Sequence, residues 1–410
     1  MPDNRPPPAS SEIQQELPAP STELQEHSDK LKRLISNVIQ EQGGKITFAE
    51  YMNLALYAPG LGYYSAGLQK FGRLGDFITA PEISPIFSQC LALQCAQLML
   101  PLDQPMILEV GAGSGTMAIE LLSELERQAS LPEKYLILEL SAELRDRQQQ
   151  QIHEKIPHLY PCFEWLDHLP EHPFNGIVIA NELLDAMPVH LLKIERQTVY
   201  ERYVAVKNDD FIWQDDVPSQ QRLQQRAQSI RELQQPLADL NDKPDQAYVT
   251  EINLYADDWI RSISKVLDSG AILLVDYGYT AQEYYHPQRS MGTLMCHYQH
   301  RRHDNPLILP GIQDITAHVD FSALARAGQE NGLQLSGFTT QAHFLMNGGL
   351  MDIAQRFDPE NMLEYAAIAQ QIKRLTLPDE MGELFKVILL SRNLPISLAA
   401  FQFQDLRHRL

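Results

Sequence analysis

The sequence predicts an α/β protein built on a parallel sheet with helices on both faces. Three observations point there. Short apolar runs at 106–110, 134–140, 176–184 and 271–278 alternate with segments of helical length and periodicity. One of these runs passes directly into a glycine-rich turn and a helix, ILEVGAGSGTMAIELL at 107–122. A hydrophobic content of 44% over 410 residues supports one large core with elaborations rather than several small ones.

Taken in order, residues 1–20 are Pro-rich and polar and read as a disordered leader. Leucines and isoleucines recur at helical spacing over 22–41. A second helix is expected over 46–57, with Thr47 as N-cap and Glu50 three residues on. The stretch 58–82 is dense in glycine and tyrosine, long for a loop, and therefore a candidate for function. An apolar helix covers 83–100. Strand 106–110, helix 117–128, strand 134–140 and helix 141–155 follow, with Ser141 placed to cap the last. YPCFEW at 160–165 reads as a strand, and 176–184 as a further apolar strand running into a loop. Period-two alternation with a polar turn over 199–214 predicts a β-hairpin insertion. The Gln-rich segment 218–246 reads as surface helix and loop. Beyond the strand at 271–278, two closing strands are expected at 332–341 and 383–392. The organisation is a leader (1–20), N-terminal helices with a lid (21–104), a core (105–280) interrupted at about 197–250, and a final segment (281–410).

A net charge of −20, from 53 acids against 33 bases, argues against a nucleic-acid partner, which needs a basic footprint. HYQHRRH at 297–303 is a local exception. An acidic protein suits a cationic substrate instead. The four cysteines form no C-x-x-C pair, which speaks against a zinc ribbon or dithiol site and fits a reducing compartment. No apolar run approaches the roughly 18–20 residues of a membrane span. The first residues carry no signal-peptide apolar stretch and no Arg-rich, acid-poor pattern, so a cytoplasmic location is expected.

The turn places Gly111, Gly113 and Gly115 in G-A-G-S-G-T. A P-loop is excluded because no G-K-[ST] follows, and a dinucleotide fingerprint would want a glycine where Thr116 stands, a modest departure. Glu109 closes the preceding strand, disfavours a pyrophosphate and favours a sulfonium with an α-amino group. That tilts the reading to S-adenosyl-L-methionine. Glu139, at the tip of the next strand, suits ribose hydroxyls. ANELLDAMPVH (180–190) brings Asn181, Glu182 and Asp185 to the end of the third core strand, where ligand crevices of open α/β sheets lie. Two other readings stay open on the residues alone. The sheet and Glu139 also suit an NAD-dependent oxidoreductase, and a methyltransferase scaffold can serve as a non-catalytic SAM-binding chaperone.

Six blocks carry a closer resemblance: ITFAEYMNLALYAPGLGYYS, GDFITAPEISPIFSQ, LEVGAGSGT, ANELLDAMPVH, LLVDYG and DITAHVDFSAL. Over roughly 28–392 the chain resembles the SAM-dependent methyltransferase family of bacterial homologues of MidA, the mitochondrial complex I assembly factor. The resemblance implies a class I (Rossmann-like) methyltransferase with a seven-stranded sheet, a helical N-terminal region and β-hairpin and helical insertions. It implies transfer to a protein arginine, in the mitochondrial members on a complex I subunit. Neither the acceptor protein nor the oligomeric state is written in the sequence.

In that setting Gly75, Asp76, Thr79, Pro81 and Glu82 are expected to form a lid that shields the methyl donor from water. Adenine is expected near Cys162–Trp165. A guanidinium is charged at neutral pH and a poor nucleophile. Glu182 with Asp185 or Asp76 is expected to clamp it, and His318 to serve as hydrogen-bond partner or proton relay. Asp314, Thr316, His318 and Asp320 are bunched, but two spaced ligands without a third do not make a metal site. Asp320 is expected to cap the helix that follows it.

Overall fold

The computed structural model describes residues 17–66, 79–240, 247–395 and 397–410. Most of the expected leader, along with Gly75 and Asp76, therefore lies outside the described residues.

The core sheet has seven strands on one path. They are β1 (Met106–Val110), β2 (Tyr135–Leu138), β3 (Phe163–Leu166), β4 (Phe174–Asn181), β5 (Leu267–Tyr279), β6 (Gln334–Thr340) and β7 (Phe385–Arg392). Their spatial order is β3-β2-β1-β4-β5-β7-β6. The first five are parallel to their neighbours, and β7 runs antiparallel between β5 and β6. A two-residue strand, Val319–Asp320, pairs with the end of β5. The chain winds outward from β1 to β3, then restarts at β4 and winds the other way. The switch point lies between β1 and β4, where open α/β sheets leave a crevice at their carboxyl ends. The glycine turn follows β1 and Glu182 follows β4, so topology brings both to that crevice.

Side-chain alternation explains the double cover. Ile107, Ile177, Leu273 and Val387 pack on helices Pro85–Met99 and Thr116–Arg127. Their neighbours Leu108, Val178, Ile272 and Ile388 face helices Leu254–Val266 and Phe321–Glu330. With both faces buried, these strands read as continuous apolar runs.

The N-terminal helix spans Thr22–Glu41, capped by Ser21 and buried along Leu31, Ile35 and Ile39, one residue per turn. The expected second helix begins later than its periodicity suggested. Lys45–Thr47 is a short strand, paired antiparallel with Thr198–Lys207, and helix Phe48–Tyr57 starts after it. Thr47 and Glu50 form the reciprocal capping box, with Glu50 N donating to Thr47 Oγ1 at 3.1 Å and Thr47 N to Glu50 Oε2 at 2.9 Å. The predicted hairpin forms between Thr198–Lys207 and Asp210–Asp216. Asn208 and Asp209 both adopt positive φ at its turn, 51° and 64°, as a two-residue hairpin loop demands. It is part of a larger unit than expected. Together with Lys45–Thr47, His190–Glu195 and Tyr248–Ile252 it makes a five-stranded antiparallel sheet. Helices Thr22–Glu41 and Phe48–Tyr57 pack on this second sheet, which ties the N-terminal region to the insertion. No helix among the described residues is long and apolar enough to cross a membrane.

Candidate active site

The glycine turn owes its shape to three residues in left-handed backbone: Gly111 at φ 73°, Gly113 at 54° and Gly115 at 84°. Gly115 is the N-cap of helix Thr116–Arg127. A Cβ on Gly111 would stand 3.1 Å from Leu183 Cδ1, and one on Gly115 would stand 3.3 Å from Gln148 Cγ. The turn is therefore a cradle that side chains would both strain and fill.

Gln148 joins the parts of this half-site. Its Nε2 donates to Gly113 O at 2.9 Å and to Glu139 Oε2 at 3.1 Å, while its Oε1 accepts from Trp165 Nε1 at 3.0 Å. Turn, β2 tip and β3 are thus fixed to one buried amide. Glu139 also accepts from Ser141 N at 2.9 Å. Burial still pushes its carboxyl up, against those donors. Glu109 is 1% exposed and faces the side of the sheet covered by Thr116–Arg127, where its Oε2 accepts from the Tyr135 hydroxyl at 2.7 Å. Burial raises its pKa to about 7. It lies beneath the turn rather than at the crevice rim.

Of the expected lid, Thr79, Pro81 and Glu82 are described. Thr79 precedes the short helix Ala80–Ile83, and Pro81 is buried within it. Glu82 Oε1 accepts from Thr116 Oγ1 at 2.9 Å and from Ser114 Oγ. The far end of the expected lid is thereby anchored to the glycine turn.

The second half-site begins at the end of β4. Glu182 sits at φ 49°, an uncommon conformation for a residue with a Cβ, and its N donates to Val275 O at 2.9 Å. Its Oε1 accepts from Ala80 N at 3.2 Å and from Asn181 Nδ2 at 3.3 Å. Asp185 is buried, and its Oδ2 accepts from the Tyr277 hydroxyl at 2.5 Å. Among the described residues its Oδ1 is buried without a hydrogen-bond partner, as is Asn181 Oδ1. Burial followed by the charge of Asp185 raises Glu182 to about 8. Burial raises Asp185 to about 6, with the Tyr277 hydrogen bond acting against it. Burial also pushes Asp276 well up, with Asp185 and Glu182 adding to the shift. Among the described residues neither Glu182 nor Asp185 forms an ion pair with a lysine or arginine. Tyr57 and Tyr64 stack at 5.5 Å beside these acids, with Tyr57 donating to Ala186 O at 2.9 Å and Tyr64 to Asp314 Oδ1 at 3.0 Å.

These raised values carry a stability consequence. The folded protein holds a proton on Glu182 that the unfolded chain releases above its ordinary value of 4.5. That contribution is present below the unfolded value and is lost as pH rises through about 8. Glu182→Gln, which does not titrate, is therefore expected to gain in melting temperature over the wild-type protein as pH rises from 4.5 to about 8, read by scanning calorimetry. A difference that stays constant over that interval would contradict the raised value.

His318 lies behind Tyr277, with its Nδ1 buried and without a hydrogen-bond partner among the described residues. Its ring stacks on Tyr279 at 5.1 Å and meets Tyr277 edge-on at 5.1 Å, so Tyr277 stands between it and Asp185. Burial lowers its pKa to about 4, which leaves it neutral at pH 7. It forms an aromatic wall and has no described hydrogen bond to Glu182 or Asp185 that would let it relay a proton. Asp320 is the expected helix cap, accepting from Ala323 N at 3.0 Å, and it also accepts from the Tyr285 hydroxyl at 2.9 Å. No group of three or more His, Cys, Asp or Glu side chains among the described residues is arranged to hold a metal ion.

A family model described as S-adenosyl-L-methionine-dependent methyltransferase matches residues 90–339. The chain belongs to this methyltransferase family. The crystal structure of a superfamily relative from Burkholderia thailandensis, bound to S-adenosyl-homocysteine, is similar at a TM-score of 0.90 and 41% identity. The match covers 96% of this chain and 100% of that one. The mitochondrial protein arginine methyltransferase NDUFAF7 homolog of Drosophila melanogaster is 29% identical over 392 residues, 88% of this chain and 84% of the relative. The human mitochondrial protein arginine methyltransferase NDUFAF7 is 28% identical over 385 residues, 85% and 80% of the two chains. These findings set the dinucleotide reading aside. The methyltransferase takes S-adenosyl-L-methionine as its cofactor, and the cradle suits it: three glycines open the turn backbone, and a buried acid waits at the β2 tip.

Proposed function

We propose that this methyltransferase transfers a methyl group to an arginine side chain of a protein, with Glu182 and Asp185 clamping the guanidinium. The observation that carries the reading is Asp185 Oδ1, a buried oxygen without a hydrogen-bond partner among the described residues, beside a second buried carboxyl that pairs with no cation among them. Such a group seeks a cationic donor, and a planar guanidinium offers several N–H groups in a fixed fork. The arginine methyltransferase names of the mitochondrial relatives support the same acceptor.

On this reading Gly111, Gly113 and Gly115 let backbone approach the methionyl part, Glu139 holds the ribose, and Glu109 stabilises the α-amino end from beneath the turn. Thr79, Pro81 and Asn181 line the crevice between the half-sites, and Glu82 holds its wall to the turn. Bound S-adenosylmethionine supplies an electrophilic methyl carbon. The chain's own residues do the rest. Asp185 and Glu182 fix the guanidinium plane, so that one nitrogen faces the donor side of the crevice. Methylation of a cation by a cation releases one proton. Glu182 holds a proton at neutral pH when no cation is beside it; the bound guanidinium favours its ionised form, and that carboxylate then accepts the released proton. The Tyr57–Tyr64 pair and the His318 wall keep water from the acids.

A full-length preparation incubated with radiolabelled S-adenosylmethionine and extract of a deletion strain tests the acceptor class. Label is expected in acid-precipitable, protease-sensitive material, with a respiratory complex I-type subunit as the first band to identify. Label confined to small molecules would overturn a protein acceptor.

A further inference from the structure

Two adjacent residues at the end of β5 take no part in the chemistry above, yet they hold the acceptor acid from two directions. Asp276 reaches across to the turn after β4. Its Oδ2 accepts from Leu184 N at 2.9 Å and from Asp185 N at 3.3 Å, while Oδ1 accepts from Tyr277 N at 2.9 Å. The Tyr277 hydroxyl then donates a hydrogen bond to Asp185 Oδ2. We infer that Asp276 and Tyr277 are positioning residues that aim the free oxygen of Asp185 at the acceptor, an inference that rests on the clamp reading.

The geometry leaves little freedom for any other arrangement. One oxygen of Asp185 is occupied by the phenol, so among the described residues Oδ1 is the one without a partner and faces a substrate on this reading. The phenol itself cannot swing, because its ring is held edge-on between His318 at 5.1 Å and Phe385 at 5.4 Å. The backbone of the turn is fixed as well. Ala317 N donates to Asp185 O at 2.9 Å, and Asn253 Nδ2 donates to Leu184 O at 3.2 Å. Asp276 completes this with two oxygens shared among three N–H groups, which the single carbonyl oxygen of an asparagine could not serve. Placing a third carboxyl beside Asp185 and Glu182 costs stability through burial and like charge. A site that keeps it there uses it to hold the turn.

The test is a double-variant cycle on the full-length protein. Methyl incorporation from radiolabelled S-adenosylmethionine into deletion-strain extract is measured across pH, and cofactor affinity is measured separately by calorimetry. Tyr277→Phe removes one hydroxyl and little packing. It is expected to lower the initial rate about 10- to 100-fold while leaving cofactor affinity within twofold. The pH of half-maximal rate should rise by about one unit, because the phenol no longer holds the Asp185 carboxyl down. Combined with Asp185→Asn, Tyr277→Phe should cost nothing further, since it acts through that carboxyl. Asp276→Asn is expected to lower the rate in the same way, and if it does not fold, Tyr277→Phe alone decides. Losses that multiply in the double variant, or a Tyr277→Phe enzyme with wild-type rate and pH midpoint, overturn the positioning inference. A wild-type rate in Asp185→Asn alone would instead overturn the clamp on which it stands.

Discussion

Glu182→Gln and Asp185→Asn are each expected to lower methyl transfer by about 10²- to 10³-fold while S-adenosylmethionine still binds, the scale typical of losing one preorganised electrostatic contact at a reacting centre. Both changes keep the shape of the side chain. In Glu182→Gln the amide oxygen would retain the contact from Ala80 N, and the backbone at φ 49° would still be fixed by Val275 O. On the clamp reading, what disappears is the carboxylate that forms beside the bound guanidinium, orients it and takes its proton. Calorimetry with S-adenosylmethionine separates this from general damage. A variant with full transfer and unchanged cofactor affinity would remove that acid from the clamp.

The second large effect lies on the donor side. Gly115→Val is expected to weaken cofactor binding at least about tenfold, since a side chain in left-handed backbone costs roughly 1–2 kcal/mol before any contact is counted. The contact matters more. The new Cβ would press on Gln148 Cγ at 3.3 Å, and Gln148 is the residue that holds Gly113 O, Glu139 and Trp165 together. Gln148→Leu should reproduce the loss while leaving the turn's own residues unchanged, by removing the amide that holds Gly113 O and Glu139. Unchanged affinity in both variants would mean that the glycine turn is not the cradle.

Much of this site could be read from the chain because parallel sheets put their chemistry at strand ends. Glu139 and Glu182 follow apolar runs directly, so their position at the crevice is a local feature of the sequence. Helix Thr22–Glu41 and the Thr47–Glu50 box were legible for the same reason, since both depend on residues a few places apart. Other parts depend on distant partners. Gln148 is one of four consecutive glutamines, and only the face of its helix selects it for the interior. Ile46 and Thr47 read as the lead-in of a helix until the strand partner of Lys45–Thr47 at Thr198–Lys207, far along the chain, is known. Asp276 looks like the polar end of a buried strand, and its role is visible only once β5 lies beside β4. Tyr57, Tyr64 and Asp314 meet by tertiary folding alone. His318 is a further case: its spacing beside Asp320 shows a polar cluster, and only tertiary packing sets its ring against Tyr277 and Tyr279.

On the clamp reading an arginine side chain occupies the space in front of Asp185 Oδ1. The most direct measurement is identification of the methylated residue by mass spectrometry of labelled protein from the deletion-strain extract. Methylarginine is predicted, formed by the wild-type enzyme and lost with Glu182→Gln. Methyl-lysine, or label on another side chain, would contradict it.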